Sequence, residues 1–406
     1  MKAIIHPGTA RGTVAAPPSK SMAHRLLICA ALAEGESLVR GVDPSEDILA
    51  TADCLTALGA SLVWEGSAVR VRGCDSREAA PAVLRCRESG STLRFMIPLC
   101  LLSGSAMRLE GSETLLSRPL SVYEDLCREQ GLILRRENGG LLCEGRLSPG
   151  EYTVPGSISS QFITGLLFAL PLLSGDSRIR LIPPVESRSY LSLTLQALNS
   201  AGIRISWEDD NTLSVSGNAA YLAQDTVVEG DYSNAAFFEG LNCAGGAVTV
   251  TGLRADSLQG DRVYLEYFPR LAAGPAELDL TDCPDLAPVL FAAAAFCHGA
   301  VFTGTRRLRF KESDRGAVMA QEMAKFGVSL ALEEDRITVP AAALRTPSES
   351  LDSHNDHRIA MALSLLCTRT GGVIRGAEAV RKSFPDYWER LRSLGIDVAL
   401  SAEPVE

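Results

Sequence analysis

Six times along this chain a run of apolar residues, too continuous for a one-sided surface helix, ends near a glycine. A short alternating stretch follows, then an amphipathic run and a second glycine. The first glycines are Gly35, Gly104, Gly175, Gly246, Gly299 and Gly372; the second are Gly59, Gly131, Gly202, Gly274, Gly327 and Gly395. Most steps are about 70 residues, with one shorter step after Gly246 and Gly274. Around Gly59, Leu55 and Leu58 sit at helical spacing and Ala60 and Leu62 alternate into a strand. Leu391, Leu394, Ile396 and Val398 repeat this around Gly395, and the copy over Tyr264–Leu278 is the least regular. Two interleaved series argue against chance spacing. They predict an α/β chain with six-fold internal repetition, the first helix of each unit buried and the second covering a face. Strand pairing is not specified by the pattern.

Polar chemistry concentrates where the first helices begin. Those starts read Ser19-Lys20-Ser21, Ser89-Gly90-Ser91-Thr92, Ser159-Ser160-Gln161, Tyr232-Ser233-Asn234, Pro284-Asp285-Leu286 and Asn355-Asp356-His357-Arg358. A helix start carries unpaired N–H groups and the positive end of the macrodipole, so cations there deepen a positive potential suited to phosphate. In the first block Pro17 and Pro18 stiffen the approach, and Arg25 lies further into the helix after Lys20 and Ser21. Ordinary N-capping explains one serine of the first block and one of the third, not the whole of either.

With 406 residues the chain exceeds one hydrophobic core and calls for two domains. Its 46% hydrophobic and 22% charged content is that of a globular protein, and a net charge of −10 argues against a nucleic-acid partner held by bulk charge. No apolar run reaches membrane-span length and Met1–Arg11 lacks a secretory pattern, so no membrane partner and a cytoplasmic location are expected. The 11 cysteines, an odd number without CxxC, read as small apolar residues of a reducing compartment; Cys29, Cys100, Cys127, Cys297 and Cys367 lie in apolar helical patterns.

Further blocks carry chemistry. Gly90 allows close approach to a backbone flanked by hydroxyls, and Ser117-Arg118-Pro119 holds an arginine against a helix-opening proline. Ser187 and Tyr190 follow the third block. The densest run is Arg306-Arg307-Leu308-Arg309-Phe310-Lys311-Glu312-Ser313-Asp314-Arg315. Read as a strand entering a helix, it puts Arg309 and Lys311 on one face and Glu312 at a helix N-terminus. A run so charged is often a solvated surface, but Leu308 and Phe310 interleave it. His354-x-x-His357 invites a metal, yet no third ligand is evident; Asp356 as cap and Arg358 toward an anion is the simpler reading. Lys382 precedes the last helix.

Together, Pro18-Ser19-Lys20-Ser21 through Arg25, Ser159-Ser160-Gln161-Phe162, Lys311-Glu312-Ser313-Asp314-Arg315, Asn355-Asp356-His357-Arg358 and Lys382-Ser383-Phe384-Pro385-Asp386-Tyr387 resemble the 5-enolpyruvylshikimate-3-phosphate synthase family over nearly the full length. The resemblance implies two similar domains, each of three βαβαββ units with buried parallel helices, an inside-out α/β barrel. Domain one would be residues 1–17 plus 230–406 and domain two residues 18–229, with the active site in the cleft between them. It implies transfer of the enolpyruvyl group of phosphoenolpyruvate to the 5-hydroxyl of shikimate 3-phosphate, without metal or organic cofactor, by a monomer.

Carried over residue by residue, the resemblance makes Asp285 the base toward the hydroxyl and Glu312 and Lys20 the groups moving protons at C3. Lys20, Ser21, Arg25, Ser159, Ser160, Gln161, Ser187, Asp285 and Lys311 would hold shikimate 3-phosphate. Lys20, Gly90, Arg118, Gln161, Arg315, Arg358 and Lys382 would hold phosphoenolpyruvate. Glu88, Phe95 and Arg307 depart from residues common in the family. The sister transferase acting on UDP-N-acetylglucosamine is disfavoured because Ser21 follows Lys20 and no cysteine sits in a matching loop. A non-catalytic anion binder would not need Asp285 and Glu312. Unliganded cations packed together would repel, so the protein is expected to be open and to close on substrate.

Overall fold

In the computed structural model, which describes residues 1–402, the repeats become sheets of one kind. Five sheets have four strands each: one parallel pair, extended by an antiparallel hairpin or its equivalent. Val83–Arg85 pairs in parallel with Met107–Glu110, and Gly140–Glu144 and Ile133–Glu137 continue the sheet antiparallel. Glu151–Pro155 with Ser177–Ile182, and Ala276–Asp279 with Ala300–Thr303, repeat the arrangement. A parallel pair needs a crossover, and in these three units the buried helix supplies it.

Strands distant in sequence complete the other units. The strand Asp225–Val227 pairs in parallel with Glu36–Arg40 and takes the first-strand place of the first unit. Lys2–Ile5 lies between Gly372–Arg375 and Val398–Ser401, completing the sixth. Arg11–Ala15 pairs in parallel with Ala247–Thr251 in the fourth unit, which has no hairpin among the described residues. That missing hairpin is the physical origin of the one short step in the repeat.

The chain divides into two compact units, Met1–Pro17 with Gly230–Glu406, and Pro18–Glu229. Each has its own apolar core. The helices Lys20–Leu32, Gly90–Cys100 and Ser160–Ala169 lie in the core of the second, and Tyr232–Cys243, Ala287–Phe296 and His357–Thr370 in that of the first. Ala287–Phe296 has no polar residue and buries every position except its last, as expected for a helix apolar all round. The second helices, such as Ser121–Glu129 and Arg315–Lys325, bury one face.

Five of the second-series glycines take left-handed φ, whereas Gly274 is extended at 165°. In the first series the left-handed position falls one residue early in two units, at Gly245 and Gly371 rather than Gly246 and Gly372. Cys297 departs from its expected burial: it is partly exposed at the end of its helix, and a hydrogen bond with Cys243 pulls its thiol down to about 7 against the effect of burial. Among the described residues no helix is long and apolar enough to cross a membrane.

Candidate active site

Arg315 organises the charged cluster of the compact unit Met1–Pro17 with Gly230–Glu406. It is the first residue of Arg315–Lys325, a helix capped by Asp314, whose Oδ1 accepts from the Ala317 N–H at 3.1 Å. Its side chain runs inward and is 1% exposed. Nη1 donates to Asp285 Oδ1 at 2.8 Å, Nη2 to Glu312 Oε2 at 2.7 Å and Nε to Asp356 Oδ2 at 2.9 Å. A planar fork is suited to serving three carboxylates at once. Asp285, in the Pro284–Leu286 turn leading into the apolar helix, also meets Lys311 Nζ at 3.1 Å and Arg358 Nη2 at 3.2 Å.

Burial pushes the Asp285 carboxyl up, but Arg358, Lys311 and Arg315 together hold it well below the usual carboxylate range. Burial likewise lowers the Lys311 ammonium, with Asp285 opposing. A fourth acid, Asp261, is buried and accepts from Ser233; burial first and the charge of Asp285 second push it up to about 7. Asp356 caps His357–Thr370, its Oδ1 accepting from the Arg358 N–H at 2.9 Å. Lys382 Nζ donates to the Asn355 carbonyl at 2.6 Å.

Two expectations for this region are corrected. Arg306–Phe310 is a 3-10 helix, closed by Leu308 N–H to Thr305 O at 3.0 Å, so Arg309 and Lys311 do not share a strand face. Arg309 turns to the Glu334 carbonyl and Lys311 to Asp285. Glu312 precedes the cap, Asp314, so the anion at that helix start is Asp314 and Glu312 answers Arg315 instead. The two histidines of His354-x-x-His357 take different partners: His354 faces Glu322, and His357 Nδ1 lies 3.9 Å from Asp356.

In the compact unit Pro18–Glu229 the candidate residues gather at three helix starts. Ser19, Ser89 and Ser159 are the caps, accepting from Met22, Thr92 and Gln161 N–H groups. Lys20, the first helical residue, donates to Asp47 Oδ2 at 2.6 Å. Arg25 is buried and donates to the Ser21 carbonyl at 2.6 Å, Thr194 Oγ1 at 2.9 Å and the Tyr190 carbonyl at 3.1 Å. It thereby joins its helix to Arg188–Ser200, whose start is Ser187 in a left-handed conformation. Burial pulls Arg25 down to about 10, leaving it charged. His24 bonds Thr51, Thr51 bonds Thr92 and Thr92 donates to Ser89, so one buried chain ties the first two starts together.

Ser160 is buried beside the cap, and Gln161 accepts from Arg94 Nη1 at 2.6 Å while its amide donates to Ser91 at 2.8 Å. Arg118 ends the helix Glu113–Ser117; a methyl at Gly90 would sit 2.7 Å from its Nη1, so the glycine leaves the guanidinium its place. Arg118 Nε in this unit and Arg358 Nε and Nη1 in the other are buried and meet no hydrogen-bond partner among the described residues. Buried donors of this kind are costly and suit a ligand that accepts from them.

Sequence reasoning passed over Asp47, Arg94, Asp261 and Glu322. Asp47 sits in the acidic first turn of Glu46–Ala57, where an acid serves the helix dipole anyway. Arg94 lies four residues after Gly90, and that spacing of one helical turn was the available signal.

The sequence model of EPSP synthase (3-phosphoshikimate 1-carboxyvinyltransferase) matches residues 5–391. Proteins named 3-phosphoshikimate 1-carboxyvinyltransferase from Clostridium kluyveri and Clostridium beijerinckii are 38% and 37% identical, over 97% and 96% of this chain and 97% of each of theirs. The EPSP synthase structure from Acinetobacter baumannii superposes with TM-score 0.80 at 24% identity, covering 98% of this chain and 100% of that one. The enolpyruvyl transferase NikO from Streptomyces tendae gives 0.77 at 15% identity, covering 99% of each. At those identities the structures speak to the fold alone.

Proposed function

Because the chain belongs to the EPSP synthase (3-phosphoshikimate 1-carboxyvinyltransferase) family, we propose that it transfers the enolpyruvyl group of phosphoenolpyruvate to the 5-hydroxyl of shikimate 3-phosphate. The observation that carries this reading is the pair of acids, Asp285 and Glu312, held against Lys311, Arg315 and Arg358. A site made only to trap anions gains nothing from carboxylates among its cations; one that moves protons on anionic substrates needs both.

The chemistry balances as addition followed by elimination. The 5-hydroxyl oxygen bonds to C2 of phosphoenolpyruvate, its proton goes to Asp285, and C3 takes a proton from Glu312 or Lys20. C3 then returns a proton as the C2–O bond to phosphate breaks. Lys311, Lys20, Ser21, Arg25, Ser159, Ser160, Gln161 and Ser187 hold shikimate 3-phosphate; Lys20, Gly90, Arg118, Gln161, Arg315, Arg358 and Lys382 hold phosphoenolpyruvate. The free donors of Arg118 and Arg358 support that assignment. Asp285 at rest is a weak base, its proton affinity suppressed by three cations. Substrate phosphate and carboxylate groups that engage those cations raise it toward the operating pH, where a general base is most effective.

Phosphate release measured with both substrates tests the reading. Phosphate should appear only when both are present and be unchanged by EDTA; none at any enzyme concentration overturns it. The proposal includes a cytoplasmic monomer whose two units close on the substrates. Small-angle scattering should give a smaller radius of gyration with shikimate 3-phosphate and glyphosate than without, and identical profiles contradict closure. Part of the positive charge within each unit is already met by acids, Lys20 by Asp47 and Lys311, Arg315 and Arg358 by Asp285, Glu312 and Asp356.

A further inference from the structure

Glu322 is a fully buried acid for which the reaction has no use. It lies two turns after Arg315 on the same helix, at 0% exposure. Three donors converge on its carboxylate: His354 Nε2 at 3.1 Å, Lys325 Nζ at 2.9 Å and the Asp352 N–H at 2.9 Å. Lys325 is a neighbour on the same helix. The other two come from the segment that leads into His357–Thr370.

That segment is under conformational load. His354 and Asn355 are consecutive non-glycine residues with φ of 48° and 55°, a region that L residues rarely occupy in succession. It persists only if the surroundings hold it. The turn has two products. It presents the Asn355 carbonyl to Lys382 Nζ, and it places Asp356 as the cap from which Arg358 projects to Asp285. The Arg315–Lys325 helix thus grips the segment at two points, with Arg315 on Asp356 and Glu322 on Asp352 and His354.

We propose that Glu322 is a positioning residue that clamps the 352–355 turn and thereby sets Arg358 and Lys382 for phosphoenolpyruvate. This rests on the functional reading above, which assigns those two cations to that substrate. Loss of a purely structural ion pair would lower stability without singling out one substrate. A clamp on this turn affects phosphoenolpyruvate selectively, because Lys20, Arg25 and the three serine caps do not depend on it.

The test compares wild type, Glu322→Gln, Glu322→Ala and His354→Ala, reading kcat, both KM values and the melting temperature. His354 is partly exposed, so its variant remains informative if a Glu322 variant does not fold. Misplacing a binding group by about an ångström costs up to roughly a hundredfold. The KM for phosphoenolpyruvate should therefore rise roughly tenfold or more in the alanine variants, with the KM for shikimate 3-phosphate unchanged and Glu322→Gln intermediate. Folded variants with an unchanged phosphoenolpyruvate KM, or with both KM values rising together, overturn the clamp. An inactive wild type overturns the functional reading instead, so the two failures are distinguishable.

Discussion

Asp285→Ala should leave shikimate 3-phosphate binding close to wild type while turnover falls about 10²–10⁴-fold, the usual contribution of a positioned base. The substitution removes the carboxylate that three cations share, at 3.1 Å from Lys311, 2.8 Å from Arg315 and 3.2 Å from Arg358. Those cations then face the substrates without an internal competitor. Anion affinity is maintained or increased even as the hydroxyl proton loses its acceptor. Calorimetric titration with shikimate 3-phosphate, set beside phosphate release, separates the two effects. Unchanged turnover would remove Asp285 from the mechanism, and loss of binding in step with turnover would make it a structural group.

Arg315→Met should be the most destabilising change at the site. It leaves Asp285, Glu312 and the fully buried Asp356 facing one another without the guanidinium that bonds all three. Breaking a buried ionic cluster by removing one partner costs about 3–5 kcal/mol. The loss depends on pH. Asp285 is held below its usual value in the folded protein, so its stabilising contribution is present above the unfolded value of about 3.9 and is lost as pH falls through the folded one. Without Arg315 the depression weakens, so the deficit is full at neutral pH and shrinks in acid as the carboxyls protonate. Denaturant unfolding at several pH values checks this. A deficit that stays below 1 kcal/mol at neutral pH, or that grows in acid, would contradict the account.

What could be read from the residues alone was chiefly the chemistry that acts over one helical turn. Ser19, Ser89, Ser159 and Asp356 are caps because the cap oxygen and the N–H it accepts from lie within three residues of each other, a relation visible in the chain. The helices from Ser19 onward and from Asp356 onward likewise follow from apolar runs behind those caps. Partners chosen across the fold were not visible. Lys20 meets Asp47 across 27 positions, and Arg315 meets Asp356 across 41. The alternation of Leu308 and Phe310 looks like a strand, but among the described residues no partner strand reaches them, and the segment closes its own hydrogen bonds in a 3-10 turn instead. The short fourth unit was visible as irregular spacing, whereas its cause, a hairpin that is absent, needed the sheet pairing.

The account stands or falls on the fate of the enolpyruvyl carbon skeleton. Proton and phosphorus NMR on the wild-type protein with both substrates in D₂O follows it directly. The account predicts a vinyl ether on shikimate 3-phosphate forming one-to-one with free phosphate, with deuterium entering its methylene group as C3 gains and returns a proton. Phosphate released without the vinyl ether, or a vinyl ether formed without phosphate, would contradict it.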